Sequence, residues 1–182
     1  MRPTGVTVGP RLLVAGALLL GAVGARAQTA KGGKIDPTWL RADAASKTVD
    51  FKLVAGLTEA NGGMNFNGFG RGGLVLTVPQ GWTVALHFKN EDANLPHSVE
   101  VIPEAAAIPT GPVPPALEHA TTGRLEQGFS TGQGAEIRFV TGKAGSFLIF
   151  CAVPGHGAAG MWVRLAVSEA ADKPALATAA ER

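Results

Sequence analysis

Seven short runs of β-forming residues, separated by segments rich in Gly and Pro and with no stretch of helical period between them, constrain this chain most. They cover residues 49–55, 73–78, 81–89, 98–102, 135–140, 146–150 and 161–167. Side chains on a strand alternate between its two faces. The alternation is clearest at residues 81–89, where Trp82, Val84, Leu86 and Phe88 share one face and Thr83, Ala85, His87 and Lys89 the other. One face therefore belongs to a core and the other to solvent. Seven or eight such strands predict an all-β fold, an antiparallel β-sandwich with Greek-key connections.

The flanking segments are patterned differently. Arg2 and Arg11 supply positive charge, residues 12–24 are uninterruptedly apolar, and Ala25-Arg26-Ala27 matches a small-x-small cleavage site. This predicts an export signal over residues 1–27 and a mature chain that begins at Gln28. Thirteen apolar residues fall short of the roughly 20 that span a bilayer, so the membrane is a partner only if the segment is retained as an anchor. Residues 28–48 read as a polar leader with one short helical turn, docked by Ile35, Trp39 and Leu40. The domain proper is placed at residues 49–168, and the Ala-rich, charged residues 169–182 are read as a flexible tail. Residues 103–134, with Pro103, Pro109, Pro112, Pro114 and Pro115, are too long for a hairpin and too rich in breakers for a core element, which predicts a surface excursion.

Charge excludes one class of function. Three of the 16 basic residues lie in the leader segment and all 14 acids follow it, so 13 bases face 14 acids from Gln28 onward. No Lys/Arg run or aromatic-basic interleaving is present, and nucleic acid is not an expected partner. Cysteine usage is more informative. Exported domains of this size usually hold their cysteines in disulfide pairs, yet this chain has only Cys151. A lone Cys in an oxidising compartment is buried and inert, paired with another chain, or committed to a metal.

Its neighbours favour the metal. The segment Cys151-Ala-Val-Pro-Gly-His156-Gly-Ala-Ala-Gly-Met161 sets a thiol, an imidazole and a thioether at spacings of five and five after an apolar strand. Pro154, Gly155, Gly157 and Gly160 allow the loop to fold back and converge the three side chains. These are soft and borderline ligands suited to copper, and a trigonal blue-copper site needs a second imidazole from elsewhere. His97, which opens the run at 98–102 after Asn94-Leu95-Pro96, is the best placed. The expected metal ligands are His97, Cys151, His156 and, more weakly, Met161. Singly, each has an ordinary structural reading as a buried Cys, a core Met or an exposed His; the joint arrangement points to one copper ion. His87 and His119 are expected at the surface, and Met64 in packing.

With those residues in place, the chain resembles the cupredoxins, and among them most closely the sulfocyanins. The resemblance covers roughly residues 49–167 and rests on Asn65-Phe66-Asn67-Gly68, Val78-Pro79-Gln80-Gly81-Trp82-Thr83-Val84, Leu95-Pro96-His97-Ser98 and residues 151–162. Cys-x4-His-x4-Met discriminates best, because plastocyanin-like and azurin-like members space these ligands more tightly. Sulfocyanins often carry Asn after the first ligand His, whereas this chain has Ser98, which predicts a different hydrogen bond near the thiolate.

The resemblance implies a type 1 blue copper protein that shuttles single electrons between Cu(I) and Cu(II), not an enzyme. It also implies a monomer outside the cytoplasm, in the periplasm or an equivalent space, serving redox partners such as a c-type cytochrome or a membrane respiratory complex. Docking is expected near His156, whose neighbours are Pro154, Gly155, Gly157, Ala158 and Ala159. The alternative is a copper chaperone or storage protein, but those favour exchangeable Met/His or Cys sets, and this chain has no Met-rich run and no second Cys. A copper enzyme would need further histidines, and zinc is poorly matched by the Met.

Overall fold

A computed structural model describes Met1 and residues 33–179, so the export signal read at residues 1–27 lies outside the described residues apart from Met1. All seven expected runs form strands: β2 (Thr48–Ala55), β3 (Leu74–Pro79), β4 (Thr83–Asn90), β5 (Glu100–Pro103), β6 (Gly134–Val140), β7 (Gly145–Phe150) and β8 (Trp162–Ser168). Two more flank them, β1 (Leu40–Asp43) and β9 (Ala175–Thr178). The strands make a four-stranded sheet in the order β1-β2-β4-β6 and a five-stranded sheet in the order β5-β7-β8-β3-β9.

Inward residues of both sheets merge into one core. Val49, Phe51 and Leu53 from β2, and Val84, Leu86 and Phe88 from β4, meet Leu74, Leu76, Val163, Leu165 and Ile149 of the other sheet. The alternation at residues 81–89 is seen as expected for its apolar face, while Ala85 is buried as well. Each fully buried Leu, Val or Phe side chain contributes about 1.5–3 kcal/mol of transfer free energy, which drives the two sheets together.

The sheets are mixed where an antiparallel sandwich was expected. β2 pairs with β4, and β3 with β8, in parallel, and the other pairings are antiparallel. Greek-key connectivity explains this, because β2 leads to β3 in the opposite sheet before β4 returns beside β2, and such a crossover can deliver a parallel neighbour.

The flanking segments contribute more than the sequence suggested. The leader does hold one helical turn, at Pro37–Trp39, where the Asp36 carboxylate accepts from the Thr38 amide at 2.8 Å. Trp39 then sets its ring edge-on to Phe69, and Leu40–Asp43 pairs with β2. In the segment read as a tail, Ala175–Thr178 pairs with β3 and Leu176 packs on the core.

The long excursion is tied down along its length. The Ala116 amide donates to the Val101 carbonyl at 2.8 Å, Val101 to Ala120 at 3.0 Å, and Thr122 to Val99 at 3.0 Å. It thus covers the free edge of β5, an edge that would otherwise present unpaired backbone groups. Ile108, Val113 and Leu125 of this strap also cap a second apolar cluster, Ile102, Leu148, Phe150 and Ala152, on the outer face of the five-stranded sheet. The last four residues of β7, which lead into Cys151, are therefore buried on both faces. Among the described residues no helix is long and apolar enough to cross a membrane.

Candidate metal centre

Cys151 follows directly on β7 and Met161 directly precedes β8. The antiparallel pairing of those strands closes the loop between them, and the Cys151 amide donates to the Met161 carbonyl at 3.0 Å. Inside it, the Met161 amide donates to the His156 carbonyl at 3.0 Å, and the amides of His156, Ala159 and Gly160 donate to the carbonyls of Val153, Gly155 and Gly157. Gly157 has to be glycine because a Cβ there would enter the Phe150 ring. Gly160 has φ +105 and faces the Arg71 side chain at 2.8 Å from where a Cβ would sit, so conformation and close approach both exclude a side chain.

Outer contacts hold this loop from two sides. The Ala159 carbonyl accepts from Arg71 Nη2 at 2.9 Å and from Asn61 Nδ2 at 3.2 Å. On the other side the Gly155 amide donates to the Thr110 carbonyl of the strap at 2.8 Å.

His97 arrives from a different segment and is fixed by backbone and side chain. It exchanges hydrogen bonds with Phe129 of the strap, its amide donating at 3.2 Å and its carbonyl accepting at 2.8 Å. Its Nε2 lies 3.1 Å from Oδ2 of Asp92, whose Oδ1 accepts from the amides of Asn94 at 2.8 Å and Leu95 at 3.1 Å. Burial raises the Asp92 pKa, but those amides and the His97 ring outweigh it, and the carboxyl stays below its ordinary range. An ionised Asp92 therefore holds the proton on His97 Nε2 and leaves the Nδ1 lone pair free.

That lone pair meets the loop. His97 Nδ1 is 3.8 Å from Cys151 Sγ and 3.2 Å from His156 Nδ1, which is itself 3.7 Å from the sulfur. The point equidistant from the three atoms lies about 2.1 Å from each, the length of a bond from a first-row metal to imidazole and slightly under that to thiolate. The donor set thus fits one metal ion without rearrangement. Among the described residues these three side chains form the one such cluster.

Burial shapes the chemistry of the trio. His97 and Cys151 are fully buried and His156 is partly open. Desolvation pushes the Cys151 thiol up to about 11, against the opposing pull of the Ser98 amide. Burial lowers the pKa of His97, with Asp92 opposing it, and lowers that of His156, with His97 adding to the effect. Both imidazoles are consequently held in the neutral, ligating form, and metal binding must displace one proton from the thiol.

Met161 is fully buried in the main core cluster, which also contains Cys151, and its backbone is tied to both Cys151 and His156. At Ser98, the amide points at Cys151 Sγ at 3.5 Å while the hydroxyl donates to the Leu125 carbonyl at 2.8 Å. The hydroxyl therefore serves the strap. His87 lies on the outer face of the four-stranded sheet beside Asp50 at 3.0 Å and Glu136 at 3.5 Å; His119 is exposed on the strap, and Met64 packs against the core. A cavity of about 450 Å³ lined by Thr83, Leu117, His119, Arg138, Val140 and Lys143 shares no residue with the trio. Asp92, Asn61 and Arg71 are the supporting residues that sequence reading missed, since an isolated acid, amide or cation carries no spacing signal.

Comparison with known proteins identifies the family. The sulfocyanin (SoxE) domain family matches residues 36–178. The chain belongs to the sulfocyanin family. Sulfocyanin of Sulfolobus acidocaldarius is 31% identical over 136 residues, 71% of this chain and 68% of that one. Among solved structures, rusticyanin from Thiobacillus ferrooxidans is 21% identical with a TM-score of 0.46 and covers 72% of this chain and 88% of its own. Auracyanin A, a blue copper protein from Chloroflexus aurantiacus, is 21% identical with a TM-score of 0.47, covering 66% and 99%. As a sulfocyanin, the chain takes a type 1 copper ion and carries electrons; it is not an enzyme.

Proposed function

We propose that His97, Cys151 and His156 would hold this sulfocyanin's copper, with Met161 as a weaker fourth ligand. The observation that carries the assignment is the triangle of Nδ1, Nδ1 and Sγ atoms, whose centre is at bonding distance from all three. Copper bound there supplies a one-electron Cu(I)/Cu(II) couple.

The protein's part is to keep the site unchanged as the electron comes and goes. Asp92 fixes the His97 ring, the backbone bonds within the ligand loop fix His156 against Cys151 and Met161, and burial of Cys151 excludes water. A set of donors already held in place needs little reorganisation on electron transfer. The same closure disfavours storage or delivery of copper, which requires exchangeable ligands.

In this reading the chain is exported and works outside the cytoplasm as a monomer. It carries electrons between a c-type cytochrome and a membrane respiratory complex, or partners of that kind. Docking centres on His156, the partly open member of the trio, amid uncharged Pro154, Gly155, Ala158 and Ala159. A small apolar patch suits brief encounters, where low affinity permits turnover.

The His156→Gly substitution tests the ligand assignment at this face. It is expected to abolish the blue colour and to open a copper position that added imidazole fills, restoring the absorption. Colour that survives the substitution, or that imidazole cannot restore, contradicts His156 as a ligand.

A further inference from the structure

Glu100 is a buried acid with no evident structural work to do. It lies on β5, and its neighbours Val99 and Val101 point into the main core. Its own side chain is therefore on the opposite face, with Ile102, under the strap. The residue has no exposed surface. Among the described residues its Oε2 accepts a single hydrogen bond, from the Val113 amide at 3.3 Å, and Oε1 has no partner.

Among the described residues no cation compensates it. The charged residues of the strap, Glu104, Glu118, His119, Arg124 and Glu126, are all exposed. On β8, Arg164 is engaged with Glu104 and with the Gly72 carbonyl. β7 carries no charge at all. A carboxylate enclosed in this way is costly to keep ionised, whereas a protonated carboxyl is not. Burial accordingly raises the Glu100 pKa, with the Val113 amide opposing only in part.

Its position in the sheet connects it to the metal centre. Glu100 is the register partner of Phe150, the residue before Cys151, and the Phe150 ring packs against Gly157, the residue after His156. Along the chain Glu100 is three residues from His97, roughly 10 Å if extended. A unit change of charge at that distance, in an effective dielectric of about 20, alters a group's proton affinity on the order of tenfold.

We propose that Glu100 is a redox-linked proton site, taking one proton from solvent when the copper centre accepts an electron and releasing it when the electron leaves. The inference rests on the copper-carrier reading above. The balance is simple. An oxidised centre with ionised Glu100, one electron from the donor protein and one proton give a reduced centre with neutral Glu100, and oxidation reverses each change. Because the reduced form binds the proton more tightly, the potential must fall as pH rises through the two Glu100 pKa values and be flat on either side.

The test is the midpoint potential of the copper-loaded protein as a function of pH, from about 4 to 9, for the wild type and Glu100→Gln. The expected wild-type result is one falling window whose span corresponds to a roughly tenfold difference in proton affinity. Glu100→Gln should remove that window and leave the blue absorption intact. A variant that keeps the same window, or a wild type with no window, overturns the proposal while the carrier reading stands. Absence of the blue band in the wild type would instead sink the carrier reading and this inference with it. Should Glu100→Gln fail to fold, redox-difference infrared spectra of the wild type decide. A protonated-carboxyl band that grows on reduction and shifts in D2O supports the proposal, and its absence overturns it.

Discussion

The outer faces of the two sheets are built from strands of the same kind and end up in opposite environments. On the four-stranded sheet, Asp50, His87 and Glu136 stand in neighbouring strands as half-exposed, hydrogen-bonded polar groups. On the five-stranded sheet, the corresponding face holds Ile102, Leu148 and Phe150, sealed by the strap. The difference follows the chemistry. One sheet completes the core, while the other delivers Cys151 at the end of β7 and presents Met161 at the start of β8. Covering the outer face of β5 and β7 packs the strand that carries the thiol from both sides.

The largest effect that would sharpen this contrast is on stability. Phe150→Ala should cost about 3–5 kcal/mol, as truncation of a fully buried aromatic does, whereas His87→Ala should stay within about 0.5 kcal/mol, as at an exposed site. Chemical denaturation of the metal-free protein measures both. Comparable losses at the two positions would mean that the strap does not seal its face.

Glu100 gives a smaller effect with a definite sign. Its folded-state pKa is raised above that of the unfolded chain, so its contribution to stability is full below the unfolded pKa and is lost as pH rises through the folded one. Glu100→Gln escapes that loss. The variant should match the wild type near pH 4 and exceed it by a margin that grows as pH rises through the raised pKa. A stability difference between the two that does not change with pH would show that Glu100 is not buried as an acid.

The smallest effect concerns the supports of the ligand loop. Arg71→Ala removes one of two side-chain donors to the Ala159 carbonyl and should cost about 1 kcal/mol. Copper release should become faster, and Arg71→Lys should recover part of the loss. Unchanged release kinetics in the Ala variant would leave Arg71 as mere surface.

What could be read in advance divides along physical lines. Period-two alternation reveals strands with one buried face, such as β2 and β8, and runs of β-forming residues bounded by Gly and Pro reveal the others from β3 to β7. β1 and β9 are edge strands of mostly exposed residues, with Leu40 and Leu176 as their anchors, and their pairing uses backbone groups that every sequence possesses. The strap escaped for the same reason, because its bonds to Val99 and Val101 are main-chain bonds. The metal trio was legible because Cys151 and His156 are rare residue types at a telling spacing. Asp92 was one acid among 14 until the fold brought it to His97. Alternation places Glu100 opposite Val99 and Val101, but only the strap decides that this face is dry.

Visible absorption and EPR of the protein loaded with Cu(II), then treated with ascorbate and reoxidised, test most directly that Cys151 binds copper between His97 and His156. An intense thiolate-to-copper band with narrow copper hyperfine splitting, bleached by the reductant and recovered by oxidant, is the predicted result. A weak, ordinary Cu(II) spectrum, or no retained copper, would contradict it.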